Sequence, residues 1–442
     1  MPDYDVVLVG SGFCGTMAAV TLAHLSPTAK IALIERNDIP GPGLAYGTSD
    51  ADHLLNVRAE QMGAFADAPG DFWCWLEMSG QQGSFGRRDF VPRRLYGAYL
   101  RHLLQEACAA SPSLTLLKRR ITGLQRTPVG FTLTADDGSS LMARKVVLAL
   151  GNFPPEQAER APAQNPYAPQ TAEELADDGD ILIVGTGLTS LDMVATLART
   201  KKTGHIHLLS RHGLLPREHA DTASYTLSLQ ADNLPRTALA LCRIVRGEIT
   251  SAAALGVSWR SVIDALRPLN QSLWQALPTV EKRRFLRHLR AYWDVHRHRC
   301  APQIMDGYRA LEQAGRLTLH YGPILSQTRT DNGWRVTWRP RGTTEAKSFD
   351  VRHILRCTGP QADFRKLDDP LIQNMLQSGL VAADALQLGL ATAEDYTVLD
   401  AKGARVEGLY ALGSVLKGRL YESVAVPELR EQAAAVARNL AT

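Results

Sequence analysis

The chain lacks any C-x-x-C pair: Cys14, Cys74, Cys108, Cys242, Cys300 and Cys357 stand far apart. That removes the usual redox dithiol and the usual zinc site, and no metal is expected. The scatter suits single thiols in a reducing compartment. No run approaches the roughly 18 apolar residues that a membrane span requires. The first residues carry neither a basic segment nor a long apolar one, so a secretory signal is not expected. Excess charge is also missing: 49 basic against 45 acidic residues leave a net +4, which gives no basis for a dedicated nucleic-acid surface. No G-x-S-x-G occurs, which removes the common serine-hydrolase elbow. What remains is an ordinary globular composition, 45% hydrophobic and 21% charged, and a length sufficient for two or three domains. A soluble cytoplasmic enzyme is the expectation.

Two glycine loops carry the strongest signal. The apolar run Asp5–Val9 reads as a buried parallel strand. It leads into Gly10-Ser11-Gly12-Phe13-Cys14-Gly15 and an Ala/Val/Leu-rich helix, and a second strand, Lys30–Ile34, ends on Glu35-Arg36. In a G-x-G-x-x-G turn the first glycine permits the tight bend, the second lets a pyrophosphate approach the backbone, and the third allows close helix packing. Backbone N–H groups and the dipole at the helix start attract the phosphate. Glu35, 20 residues past Gly15, is placed to accept hydrogen bonds from ribose hydroxyls. The same turn used only for packing is the alternative. Cys14 is read as a small apolar filler.

The pattern returns about 175 residues later. Asp180–Val184 reads as a strand, followed by Gly185-Thr186-Gly187-Leu188-Thr189-Ser190 and a helix; His205–Ser210 is the next strand, ending on Arg211. Ser190 is small enough for the third position. A guanidinium in place of an acid favours a ribose 2′-phosphate, which it bonds in bidentate fashion, and so favours NADPH over NADH. Stacking of Arg211 on adenine is the alternative. Arg217 and His212 are further candidates for this pocket, with solvated surface favoured for His212.

The loop-rich stretch from Asp38 to about Gly70 has the length of a functional or mobile segment. A helix is expected over about Arg94–Ala109, and strands at Ser113–Leu117, Gly130–Ala135 and Lys145–Leu150, the last ending on Gly151. Asn152 to about Tyr167 reads as a linker. From about 214 to 314 the composition turns to Ala, Leu and Arg, and Phe285, Leu286, Leu289, Tyr292 and Trp293 fall on one helix face, giving a helical insertion. Strands follow at Leu317–Tyr321, Gly333–Trp338, Val351–Arg356 and Gly408–Leu412, then a helix from about Pro427. The domain boundaries expected are 1–155, 175–355 and 356–442.

Two dinucleotide folds, the first interrupted by the second, resemble the plan of FAD/NAD(P)-dependent flavoproteins, including disulfide reductases and class B-type flavin monooxygenases. Leu148-Ala149-Leu150-Gly151 and Arg356-Cys357-Thr358-Gly359 look like the crossovers of that plan. Gly43-Leu44-Ala45-Tyr46-Gly47, His53-Leu54-Leu55-Asn56-Val57, Phe90-Val91-Pro92-Arg93-Arg94-Leu95-Tyr96-Gly97 and Ser210-Arg211-His212-Gly213-Leu214-Leu215-Pro216 resemble the YdhS-like family. So do Tyr292–Arg299 and Val426–Ala433, and the likeness runs over nearly the whole chain. The resemblance implies an α/β chain with two Rossmann-like domains, FAD in the first and a nicotinamide cofactor in the second. It also implies flavin contacts from Gly413, Ser414 and Val424, and from Asn56, which is otherwise a turn residue. Gly413-Ser414 departs from the Gly-Asp of related flavoproteins, which puts the ribityl contact in doubt. Glu422, before the last helix, is either an acid–base group or a surface residue.

With no dithiol, a disulfide-reductase route is excluded; the Baeyer–Villiger fingerprint F-x-G-x-x-x-H is absent too. The reading is a monooxygenase in which NADPH reduces FAD and molecular oxygen supplies one atom to a small-molecule substrate at a domain interface. A dehydrogenase of a small organic acceptor and a non-catalytic cofactor-binding regulator are the alternatives. Arg93 and Arg94 bind pyrophosphate or substrate, or else begin a solvated helix. Arg283, Arg284, Arg287, Arg290, Arg297 and Arg299, with His288, His296 and His298, form a solvated helix face, or else a seat for an anionic substrate or the NADP phosphate.

Overall fold

The computed structural model describes residues 1–154, 166, 175, 177–200, 203–229 and 234–441. It divides into two compact units: Met1–Gly47, Val57–Phe153 and Gln361–Thr442 in one, Thr48–Asn56 and Pro154–Pro360 in the other. The chain passes between the units after Phe153 and again after Pro360. The short segment Thr48–Asn56, however, folds with the second unit.

In the first unit, β1 (Tyr4–Val9) runs into a helix, Phe13–Leu25, and β2 (Ile31–Glu35) returns parallel to β1. A four-residue helix, Gly43–Tyr46, lies in the stretch read as loop, a helix Asp71–Met78 follows that stretch, and a long helix covers Arg93–Ala110. β3 (Leu114–Lys118) pairs parallel with β2. β4 (Ile121–Thr127), β5 (Gly130–Ala135) and β6 (Ser140–Leu148) form an antiparallel meander whose last strand lies parallel to β1.

The second unit repeats the unit in shorter form. β7 (Ile181–Val184), the helix Leu188–Arg199 and β8 (Ile206–Ser210) make the βαβ element. Helices Ala238–Ala254, Trp259–Leu266, Asn270–Ala276, Thr279–His288, Arg290–Arg297 and Pro302–Gln313 make up the expected insertion. β9 (Leu317–Tyr321) lies parallel to β8. β10 (Ile324–Thr330), β11 (Gly333–Trp338) and β12 (Lys347–Val351) form a separate antiparallel sheet, and β13 (His353–Arg356) returns parallel to β7. The strand expected as Val351–Arg356 is thus two strands broken at Arg352, the first closing one sheet and the second entering the other.

The chain ends in the first unit, where β14 (Thr397–Leu399) and β15 (Arg405–Ala411) complete the sheet and the helix Val426–Ala441 follows. Sheet order there is β14-β15-β6-β1-β2-β3, and in the second unit β13-β7-β8-β9. The central strands are apolar on both faces, as parallel strands covered by helices must be: Val6 to Leu8, Ile31 to Ile34 and Ile181 to Ile183 are almost wholly buried. The chain therefore has an α/β fold with two Rossmann-like units, as read from the sequence. In both, strand order reverses beside the first strand, at β1/β6 and at β7/β13, where open α/β sheets bind ligands.

Two expectations fail in the insertion. The residues read as one helix face are split at Leu289, which ends one helix and precedes the next with φ −113°. The turn rotates the second helix, so Phe285 is buried while Tyr292 is 47% exposed. Arg299 is not on a solvated face: it is buried and its guanidinium pairs with Asp264. The linker read at 152–167 lies mostly outside the described residues.

Candidate functional site: two glycine cradles

Each βαβ element presents its glycine loop at the carboxyl end of its first strand, and the glycines divide by cause. Gly10 and Gly185 have φ of +101° and +110°, and an added Cβ would run into the carbonyl oxygens of Ala149 and Cys357. They are required by the fold. A Cβ on Gly15 would run into the carbonyl of Gly10. Gly12 and Gly187 are different. Their backbones are extended, with φ −65° and −83°, which any residue adopts. A Cβ on Gly12 would meet nothing closer than Gly43 Cα at 3.8 Å, and one on Gly187 nothing within 4 Å. Neither strain nor packing explains these two glycines. Both are N-caps of helices with no side-chain cap, so the first backbone N–H groups are open to an anion.

Around the first cradle, Glu35 stands at the end of β2. One carboxylate oxygen accepts from Ser11 N at 3.1 Å and Ser11 Oγ at 2.7 Å; the other accepts from Asn37 N at 2.9 Å and Asn37 Nδ2 at 2.8 Å. The acid therefore shapes the loop through Ser11. Arg36 beside it is exposed. Burial pushes the Cys14 thiol up to about 12, so it stays protonated and serves as filler. Gly43 faces Gly12, and Phe13, Tyr46, Phe72, Tyr96 and Tyr99 form an aromatic cluster behind the loop. Gly43, Tyr46 and Tyr96 were quoted in the sequence as a likeness only; the placing of Gly43 against Gly12 comes from the fold. Arg93 is half-buried and its charge reaches Tyr46, while Arg94 is exposed.

The carboxyl end of β6 brings Gly151 to the segment after β15. Ser414 Oγ donates to the Gly151 carbonyl at 2.8 Å, and Gly413 N donates to Gln432 Oε1 at 3.2 Å. The hydroxyl that replaces the usual carboxylate thus binds the chain itself. Glu422 is 3% exposed, so of its two sequence readings the surface one fails. It follows Tyr421, which has φ +57° and ψ −60°, with Glu422 N donating to the Leu420 carbonyl at 2.7 Å. That is the rare form of γ-turn, strained for a bulky residue. Val424 is exposed.

In the second unit, Thr186 Oγ1 donates to the Leu214 carbonyl at 2.6 Å and lies 3.0 Å from Ser210 Oγ, tying the loop to the end of β8. Leu188 and Thr189 are half-buried and Ser190 is fully buried. Burial pushes the Cys357 thiol, whose backbone carbonyl lies against Gly185, up to about 12. Arg211 is exposed, and His212 stands beside Arg341. Arg217 is held through its backbone to Val295 and Cys300.

Asn56 belongs to the second unit, in the segment Thr48–Asn56. There His53, 3% exposed, lies 2.8 Å from Thr48 Oγ1 and 2.9 Å from Thr196 Oγ1 through its two ring nitrogens. Thr196 donates to Asp50 at 2.7 Å, and Arg199 bonds both Asp50 and Asp52. The Asn56 carbonyl lies 3.0 Å from His219 Nε2. All six cysteines are free thiols. Among the described residues no helix is long and apolar enough to cross a membrane, and no His, Cys, Asp and Glu group could hold a metal.

Residues 7–153 match a family model described as FAD-NAD(P)-binding. The tRNA uridine 5-carboxymethylaminomethyl modification enzyme MnmG of Chlorobaculum tepidum is 25% identical over 159 residues, 34% of this chain and 24% of that protein. The chain thus matches about a quarter of that relative's length. Solved structures align over nearly all of the chain. One is the cadaverine monooxygenase DfoA of Erwinia amylovora bound to FAD, with TM-score 0.68 and 13% identity, covering 99% of this chain and 94% of that one. Another is an ornithine N-hydroxylase of Kutzneria sp. 744 with reduced FAD, NADP+ and L-ornithine, with TM-score 0.64 and 18% identity, covering 99% of each chain.

Proposed function

We propose that the chain is an FAD-dependent oxidoreductase that takes hydride from NADPH, and that it is a monooxygenase acting on a heteroatom of a small molecule. The observation that carries the reading is the pair of unexplained glycines. Gly12 and Gly187 keep open two helix starts that nothing among the described residues fills, as dinucleotide pyrophosphates require. The family match over residues 7–153 supports FAD at the first. The fold shared with FAD-bound amine monooxygenases supports oxygenation, with a nitrogen atom as the acceptor to try first.

The flavin and nicotinamide, when bound, supply hydride transfer and oxygen activation. The protein's residues hold and orient. Gly12 and Phe13 would present backbone N–H groups to the FAD pyrophosphate, with Gly10 turning the loop and Glu35 fixing Ser11. Gly151, Gly413 and Ser414 shape the next stretch of that site. Glu422, buried beside the strained turn at Tyr421, is the carboxylate we assign the acid–base role. Gly185, Thr186, Gly187 and Leu188 would hold the NADPH pyrophosphate, and Ser210 and Arg211 the adenosine end. Free and separate thiols give no dithiol among the described residues.

The test is oxygen consumption with NADPH and a panel of small amines, thioethers and ketones. The reading expects one substrate to raise oxygen uptake and yield an oxygenated product in proportion to NADPH. Turnover of an organic acceptor under argon, with no oxygenated product in air, would replace it with a dehydrogenase.

A further inference from the structure

The sequence offered Arg211 at the end of β8, with Arg217 and His212 as further candidates. The fold adds Arg341. Gly322 N donates to the Ser210 carbonyl at 2.9 Å, joining the ends of β9 and β8. Arg341 N donates to the Tyr321 carbonyl at 2.9 Å, and Arg339 N to the Pro323 carbonyl at 3.0 Å. These backbone bonds fold the turn between β11 and β12 over the end of β8. Arg341 Nη1 then donates to His212 Nδ1 at 3.1 Å. Gly213 leaves room for the Tyr321 side chain, which a Cβ would meet at 2.8 Å.

We infer that Arg341 is the second guanidinium of a phosphomonoester pocket shared with Arg211, and that this pocket selects the 2′-phosphate of the nicotinamide nucleotide. The inference rests on the NADPH reading above and names the residue that sets its selectivity. Both guanidinium charges act on His212, and no carboxylate among the described residues pairs with either. A dianionic phosphate satisfies both with charge-assisted bonds. His212 is the positioning residue. Partial burial and the charges of Arg341 and Arg211 hold its pKa below the ordinary value, so the ring is neutral near pH 7 and Nδ1 keeps the lone pair that receives Arg341. The Tyr292 ring, 6.4 Å from the imidazole, is its other neighbour, and Tyr321 stands on the adjacent strand. A neutral acceptor releases a guanidinium to phosphate more readily than a carboxylate does.

The experiment is calorimetric titration of the FAD-loaded protein with adenosine 2′,5′-bisphosphate, adenosine 5′-monophosphate and inorganic phosphate. Wild type is expected to bind the bisphosphate at least tenfold tighter than the monophosphate and to bind inorganic phosphate weakly. Arg341→Ala should lose about tenfold in affinity for the bisphosphate and leave the monophosphate unchanged. Arg341 is exposed, so the variant is expected to fold, which circular dichroism checks. His212→Leu should lose part of the selectivity and His212→Gln, which keeps an acceptor, should restore it. Selectivity retained in full by Arg341→Ala would overturn the inference while leaving NADPH as the donor. Equal wild-type affinity for bisphosphate and monophosphate would overturn both.

Discussion

Alanine at Gly12 or Gly187 should leave the apoprotein as stable as wild type, or slightly more so, while abolishing tight cofactor binding. The two backbones already lie where alanine is comfortable, and the nearest obstacle to a Cβ is 3.8 Å away at Gly12 and beyond 4 Å at Gly187. At such sites Gly→Ala stabilises by about 0.4–1 kcal/mol, because the unfolded chain has fewer conformations to lose. Gly10→Ala and Gly185→Ala are the contrasting pair. Their φ values are positive and a Cβ would enter a carbonyl oxygen, so each should cost on the order of 1–3 kcal/mol or more. The assay has two arms: urea unfolding of the apoproteins, and flavin absorbance of the protein after incubation with FAD and desalting. Gly12→Ala should unfold at wild-type urea or higher and retain little FAD. Gly187→Ala should retain FAD and lose NADPH binding. If Gly12→Ala and Gly187→Ala are destabilised like their partners, packing explains the glycines and the cradle argument fails. If they keep full cofactor affinity, it fails as well.

Four further outcomes follow from the same geometry. His207 stacks on Phe349 with centroids 4.2 Å apart, lies 3.0 Å from His320, and has its pKa lowered to about 4, chiefly by burial and then by His205 and His320. The unfolded state binds this proton first, so stability present above pH 6.5 is lost as pH falls from 6.5 toward 4; the interval corresponds to about 3 kcal/mol, and His207→Phe should flatten that limb of a urea-midpoint profile. His53→Ala removes a buried link between Thr48 and Thr196 and should cost about 2–3 kcal/mol in the second unit, measured by urea unfolding. Arg211→Ala should weaken NADPH binding at least tenfold with little effect on NADH, read by titration; unchanged NADPH affinity would contradict the assignment. In the native protein a thiol reagent at pH 8 should modify exposed Cys74 and spare Cys14, Cys300 and Cys357, whose thiols burial holds at about 12, about 11 and about 12 respectively.

The parts of the fold readable in the sequence are those whose cause is local. A buried parallel strand followed by a glycine turn and a helix writes its geometry into consecutive residues, and β1, β7 and their loops fall where the pattern places them. Glu35 and Arg211 are legible for the same reason, as the ends of short strands. What escaped reading depends on tertiary contact. Arg341 is 130 positions from Arg211 and is brought to the neighbouring His212 by backbone bonds among β8, β9 and the β11–β12 turn. Thr48–Asn56 looked like part of the first domain because it is flanked by it; a buried histidine and two aspartates bind it to the second unit instead. Ser414 was visible as a departure, but its hydroxyl is committed to Gly151, a residue 263 positions away. The helical face through Trp293 failed because periodicity does not register the turn at Leu289.

The most direct test is the absorption spectrum of the purified protein, taken under argon before and after one equivalent of NADPH or NADH. The account predicts about one bound FAD per chain, with its absorbance bleached rapidly by NADPH and at least tenfold more slowly by NADH at equal subsaturating concentration. A protein that binds no flavin when FAD is supplied, or whose flavin NADPH leaves oxidised, would contradict it.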